Sequence, residues 1–152
     1  MERTLVLLKP DAIQRNVAGK IISRIEGRGL KIVGIKMVHM DQSLAGRHYG
    51  VHQGKPFFEG LVNFITSSPI IAIAVEGLNA VEVVRNTMGA TDPAKAQPGT
   101  VRGDMGLDIG RNLVHGSDSI SNAQTELSLF FDKQELIDYK RNVDPWIIEQ
   151  KD

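Results

Sequence analysis

The residues best suited to chemistry lie between Arg102 and Ser119. There Arg102-Gly103-Asp104 leads into Asn112-Leu113-Val114-His115-Gly116-Ser117-Asp118-Ser119. Imidazole is one of the few side chains both nucleophilic and largely neutral at pH 7, so His115 could attack phosphorus without an external base. Attack needs one ring nitrogen free and the ring held still. A carboxylate accepting a hydrogen bond from the other nitrogen would hold it, and Glu126 is the nearest candidate. Gly116 would let the backbone approach closely, and Ser117 could add a hydroxyl to the same network. A lone loop histidine is more often structural, so the surrounding cations carry the argument.

Lysine plus arginine equals aspartate plus glutamate, at 18 each, so no global field draws in an anion and a phosphate ligand must be met locally. Lys9, Arg85 and Arg102 are the natural donors, with the hydroxyl of Thr91 beside them. Guanidinium groups bind phosphate bidentately and stay charged. One so placed can be worth roughly 10³ to 10⁵ in phosphoryl-transfer rate. Taken singly, Arg85, Arg102 and Arg111 read equally well as surface or ion-pair residues.

The elements that must position these groups follow from hydrophobic spacing. Thr4 to Leu8 reads as a buried strand ended by Pro10, and Asp11 to Arg28 as mostly helical, with Ile21, Ile22 and Ile25 on one face. Lys31 to Val38 reads as a long strand, and Asp41 or Ser43 could cap a helix toward Tyr49. Phe57 to Phe64 has helical spacing, while Ile70 to Val75 is continuously apolar and suits a central strand. Asn79 could cap a helix through Val81, Val84 and Met88. From Gly89 to Gly116 glycine and proline abound without a period, which reads as a long ordered loop before the histidine. Leu127 to Phe131 reads as the last strand, followed by a helix at Gln134 to Tyr139. The order suits one α+β domain over residues 1–152, a ferredoxin-like antiparallel sheet covered by helices.

Composition narrows the classes. Of 152 residues, 41% are apolar and 24% charged, as in soluble globular proteins. Having no cysteine excludes disulfides, thiolate zinc sites and a cysteine nucleophile. The run Leu5 to Leu8 is too short for a signal-peptide core, and nothing approaches the ~20 apolar residues that span a bilayer, so a cytoplasmic setting without membrane contact is expected. No P-loop, Rossmann glycine pattern, His-Glu-x-x-His or EF-hand loop occurs.

The segment Asn112 to Asp118 resembles the Asn-x-x-His-Gly-Ser-Asp signature of nucleoside diphosphate kinases. The resemblance covers the whole chain through Lys9-Pro10-Asp11, His48-Tyr49, Lys55-Pro56-Phe57-Phe58, Gly77-Leu78-Asn79, Arg85, Gly89-x-Thr91-x-Pro93-Ala94, Pro98-Gly99-Thr100-x-Arg102-Gly103-Asp104 and Asp138-Tyr139-Lys140. It implies a ping-pong transfer from a nucleoside triphosphate, typically ATP, to a nucleoside diphosphate through phosphorylated His115. It assigns phosphate contacts to Lys9, Arg85, Thr91 and Arg102, and base stacking to Phe57 with an apolar contact at or near Ile109. Sugar hydroxyls fall to Lys9 and Asn112, a place near the transferring phosphate to Tyr49, and the orienting of His115 to Glu126 and Ser117. It implies Mg²⁺ held mainly by the nucleotide's phosphates, reached by Asp118 at most through water. It also implies a homo-oligomer, a hexamer ahead of a tetramer because the tail Trp146-Ile147-Ile148-Glu149 resembles that of hexameric members. Their tail glutamate, which maps to Glu149, approaches a neighbour's site.

Two other readings make different demands. A non-enzymatic ferredoxin-like module would bind without turnover. A nucleic-acid binder would want a basic stripe with aromatics, which zero net charge and 5% aromatics disfavour. A metal hydrolase would use His48 and His52, four apart, and would survive loss of His115.

Overall fold

The computed structural model describes residues 1–151. Strands β1 (Glu2–Leu8), β2 (Lys31–Val38), β3 (Ile70–Gly77) and β4 (Val114–Gly116) form one antiparallel sheet in the order β2-β3-β1-β4. Side chains alternate across a strand, so β1 serves two cores at once. Val6 and Leu8 pack with α1 (Pro10–Gln14), α2 (Ala18–Gly27) and α5 (Ala80–Met88), through Ala12, Ile21, Ile25 and Val84. Leu5 and Leu7 pack with α3 (Gln42–His48), α4 (Phe58–Ile65) and α7 (Ile120–Phe130), through Ala45, Val62, Ile65, Leu127 and Phe130. Both faces of the central strands are therefore buried, which is why β1 and β3 read as unbroken apolar runs. Leu5, Leu7 and Leu8 are fully buried, each contributing about 1.5–3 kcal/mol of apolar burial.

Several elements differ from the sequence expectation. The helix from Asp11 to Arg28 is two helices, parted at Asn16, whose φ of 57° is a left-handed conformation that asparagine tolerates. Asp41, not Ser43, caps α3, its carboxylate accepting from the Leu44 amide at 2.7 Å. Asn79 stands at the start of α5 in a left-handed conformation and makes no side-chain cap.

Leu127 to Phe131 is not a strand. It ends α7, which Ser119 opens by accepting from the Asn122 amide at 3.1 Å. The buried positions Ala123, Leu127 and Phe130 have helical spacing, and that period outweighs the local apolar run. Gln134 to Tyr139 holds only a 3₁₀ turn, Lys133–Glu135, and then the Ile137 amide donates to the Val33 carbonyl at 2.8 Å. The Gly89–Gly116 stretch is ordered but not a bare loop. It contains a 3₁₀ turn at Pro93–Lys95, the helix α6 (Val101–Met105), and at its end β4, the fourth strand. The chain closes with α8 (Asp144–Ile147). No helix among the described residues is long and apolar enough to cross a membrane.

Candidate active site

His115 is on β4, opposite Leu7 of β1. Three devices place it. The lead-in residue Leu113 has a φ of 74°, and its amide donates to Asp11 Oδ2 at 2.9 Å while its carbonyl accepts from the Lys9 amide at 2.9 Å. Arg102, only 5% exposed, donates to the carbonyls of Asn112 at 3.1 Å, Gly89 at 3.0 Å and Val114 at 2.7 Å. Those bonds use three of the five guanidinium N–H groups and tie β4 and its lead-in to the Gly89 end of α5. Gly116 allows α5 to close on the strand, since a Cβ there would lie 2.8 Å from Met88 Sδ and 2.9 Å from Val84 Cγ1.

The His115 ring is held by Glu126 on α7, with Nε2 and Oε1 3.0 Å apart, and Ser117 donates to the other oxygen, Oε2. Burial pushes the Glu126 carboxyl up, but the bonds and charge of His115 and the Ser117 hydroxyl outweigh it and hold the group below the usual carboxylate range. An ionised carboxylate only accepts, so Nε2 carries a hydrogen, and in a neutral ring the lone pair is then on Nδ1. The His48 ring meets His115 edge-on, centroids 4.8 Å apart, and touches Tyr49 and Phe130 on its other sides. Burial, then the neighbouring His115, pushes His48 down to about 3, so it is neutral. Burial and then Glu126 raise the Tyr49 hydroxyl to about 12, which keeps it protonated.

His115 opens on a cavity of about 370 Å³ lined also by Lys9, Tyr49, Arg85, Thr91, Arg102, Asn112, Asp118 and Glu126. Lys9 Nζ donates to Asn112 Oδ1 at 2.7 Å, and Asn112 Nδ2 to the Thr91 carbonyl at 3.0 Å. Burial, then repulsion from Arg102, lowers Lys9 to about 8, and burial and then Arg85 lower Arg102 to about 10. Arg85 donates to the Gly116 carbonyl at 3.3 Å and is otherwise exposed. Three cations that repel one another around an imidazole leave a site short of negative charge, which a phosphate would supply. Asp118 is exposed at this cavity and accepts from the Asn122 amide group. As one oxygen donor beside space for phosphates, it suits Mg²⁺, which takes oxygen ligands and keeps its waters.

Not all expected residues line the cavity. Phe57 is 50% exposed beside His52, ring centroids 5.1 Å apart, with Lys55 Nζ 5.7 Å from its own centroid. Ile109 is 58% exposed in the turn closed by Asp108 and Arg111. Arg111 instead lies over the Phe64 ring at 4.2 Å. Glu149 is exposed in the tail. The pair His48 and His52 does not converge on one point, because His48 turns to His115 and His52 to Phe57. A larger cavity of about 450 Å³ lies under the tail around Arg28, Lys140, Arg141 and Ile147, but it shares no residue with the histidine site. Sequence reasoning missed Asp11 and gave His48 no part in the site. The resemblance included both, within Lys9-Pro10-Asp11 and His48-Tyr49, but gave neither a role beside His115.

A family model described as nucleoside diphosphate kinase matches residues 2–136. A nucleoside diphosphate kinase of Herpetosiphon aurantiacus is 56% identical over 149 residues, covering 98% of this chain and 100% of its own length. That of Pelotomaculum thermopropionicum is likewise 56% identical over 149 residues, with the same coverage. Among solved structures, a halophilic nucleoside diphosphate kinase from Halobacterium salinarum in complex with CDP superposes with a TM-score of 0.94 at 50% identity, covering 97% of this chain and 99% of its own.

Proposed function

The chain belongs to the nucleoside diphosphate kinase family and transfers the terminal phosphoryl group of a nucleoside triphosphate to a nucleoside diphosphate; we propose that it does so through His115 in a two-step exchange. The observation that carries this reading is the 3.0 Å bond from His115 Nε2 to an ionised Glu126, with the ring facing a cavity edged by Lys9, Arg85 and Arg102.

In the first step the Nδ1 lone pair forms a bond to the γ-phosphorus as the bond to the β,γ-bridging oxygen breaks. The nucleoside diphosphate leaves with that electron pair, and the imidazole, now phosphorylated on Nδ1, keeps its Nε2–H on Glu126. A second diphosphate enters the same pocket, and its terminal oxygen takes the phosphoryl group back. Lys9, Arg85 and Arg102 stay in place through both steps, so no reorganisation is needed when charge shifts onto the transferring group. Three N–H groups of Arg102 hold the carbonyls of Gly89, Asn112 and Val114, which leaves two for phosphate oxygens. The neutral Tyr49 hydroxyl and the Thr91 hydroxyl are donors to phosphate oxygens, and Asn112 with Lys9 meets the sugar hydroxyls. Ser117 keeps Glu126 in place.

Phe57 and Ile109, both exposed outside the cavity, are the faces between which the base lies. A stacking contact accepts any base by its π-face, which supports broad base tolerance. Asp118, together with the nucleotide's phosphates, would hold the family's Mg²⁺, which would neutralise phosphate charge when bound.

The same reading takes the protein to be a homo-oligomer, a hexamer rather than a tetramer. Supporting it are large apolar side chains left open on a single chain. They include Ile35 (51%) and Met37 (63%) on the edge strand β2, and Leu107 (87%) and Trp146 (90%).

The kinetic test varies ATP against several fixed concentrations of a second nucleoside diphosphate. One pocket used in turn gives parallel double-reciprocal lines; lines that intersect mean both nucleotides bind together, and the reading fails.

A further inference from the structure

His48 has no step in that exchange, yet its placement is specific. It ends α3 with its ring against His115, and its Nδ1 is buried without a hydrogen-bond partner. A ring nitrogen of His48, a ring nitrogen of His115 and a carboxylate oxygen of Glu126 lie within 4.8 Å of one another. Among the described residues no other three histidine or acidic side chains gather this way. We propose that His48, His115 and Glu126 form an inhibitory site for a borderline transition-metal ion such as Zn²⁺, which occupies the phosphate-accepting imidazole.

The donor set argues for the metal class. Two imidazoles and a carboxylate suit zinc, nickel or copper, whereas Mg²⁺ seeks oxygens and does not compete for nitrogen. The chain has no cysteine, so no thiolate offers such an ion a better home, and two of its four histidines are in this cluster. Burial keeps His48 neutral, which leaves a lone pair ready for coordination.

The geometry is near what a metal requires. Ligand atoms around tetrahedral zinc lie roughly 3.3 Å apart, given arms of about 2.0–2.1 Å. His115 Nε2 and Glu126 Oε1 are already 3.0 Å apart, so the ion replaces the hydrogen between them, and the neutral ring carries that hydrogen on Nδ1 instead. A rotation of the His48 ring brings in the third ligand, and the open cavity leaves the fourth position to water. The consequence for catalysis rests on His115 being the nucleophile. With Nε2 on the metal and the hydrogen moved to Nδ1, the nitrogen that attacks phosphorus has no lone pair to give, and Glu126 is consumed as a ligand. The metal site itself stands on the ligand set alone.

Zinc chloride titrated calorimetrically into the full chain, with magnesium present and nucleotide absent, should reveal one site per chain. Removing a ligand with His48→Gln should weaken it by more than about tenfold, while His39→Gln leaves it unchanged. Because a His48 variant can fold poorly, imidazole nitrogen resonances of the unaltered protein supply a second readout. Zinc should shift His48 and His115 and leave His39 and His52 in place. Absence of stoichiometric binding, or shifts confined to His39 or His52, overturns the site. Phosphoenzyme formation from ATP is measured separately, with and without zinc. Labelling suppressed by zinc supports inhibition, and undiminished labelling with zinc seated at His48 and His115 overturns it. If zinc binds there but no phosphoenzyme forms even without it, the exchange mechanism falls and the metal site remains.

Discussion

At the scale of single residues, the site depends on groups whose charge state is set by their neighbours. Glu126 is the clearest case, since its ionised carboxylate fixes which nitrogen of His115 carries the hydrogen. Glu126→Gln keeps the shape but can present a donor to Nε2 and release the ring. Its kcat should fall on the order of 10²-fold with the nucleotide KM changed far less, as read by steady-state kinetics. Lys9 gives a pH dependence. With its ammonium lowered to about 8, it is a cation below that pH, as its proposed hold on phosphate and sugar requires, and loses its charge above it. The KM for a nucleoside diphosphate should therefore rise as pH passes about 8, and Lys9→Arg should remove that inflection. The partnership of His115, Ser117 and Glu126 was legible in the sequence because these groups lie within 11 positions of one another. Asp11 was not legible, because it bonds a backbone amide 102 positions away, and no local pattern reports such a contact.

At the scale of elements, the strand that carries the histidine was the hardest to see. Three residues, Val114 to Gly116, are too few to display a period, and the glycine-rich approach hides them. What makes them a strand is tertiary: pairing with β1, the Arg102 guanidinium on their carbonyls, and Asp11 holding the turn before them. By contrast β1 and β3 were readable from their own side chains, because burial on both faces leaves continuous apolar runs, and β2 from its looser alternation. Asp11→Ala strands the Leu113 amide in the interior. It should lower stability by about 1–3 kcal/mol in urea unfolding, with activity lost alongside. Gly103→Ala acts on α6, since a Cβ there would sit 2.0 Å from the Gln97 carbonyl oxygen. The turn must shift, taking Arg102 with it, so phosphoryl transfer should fall more steeply than thermal stability. The reverse ranking, measured on one preparation by assay and calorimetry, would count against Arg102 as a double-duty residue.

At the scale of the whole molecule, a single chain leaves apolar surface that an assembly would cover. Trp146, the only tryptophan, is 90% exposed on the isolated chain. In a hexamer it should emit at shorter wavelength and shift to the red on dilution as the sedimenting mass falls. Emission already at the solvent-exposed wavelength in the assembled protein would remove the tail from the interface. The overall α+β architecture was legible because its core elements have strong periods, while the covering of exposed residues such as Met37 and Leu107 depends on chains outside this one. The proposed exchange through His115 draws these features together, and the most direct test of it is chemical. After incubation with γ-labelled ATP, the protein should carry label that is acid-labile and base-stable. That label should map to the His115 peptide and be released onto any added nucleoside diphosphate. Label of the same lability on His115→Ala, or label that no diphosphate discharges, would contradict the account.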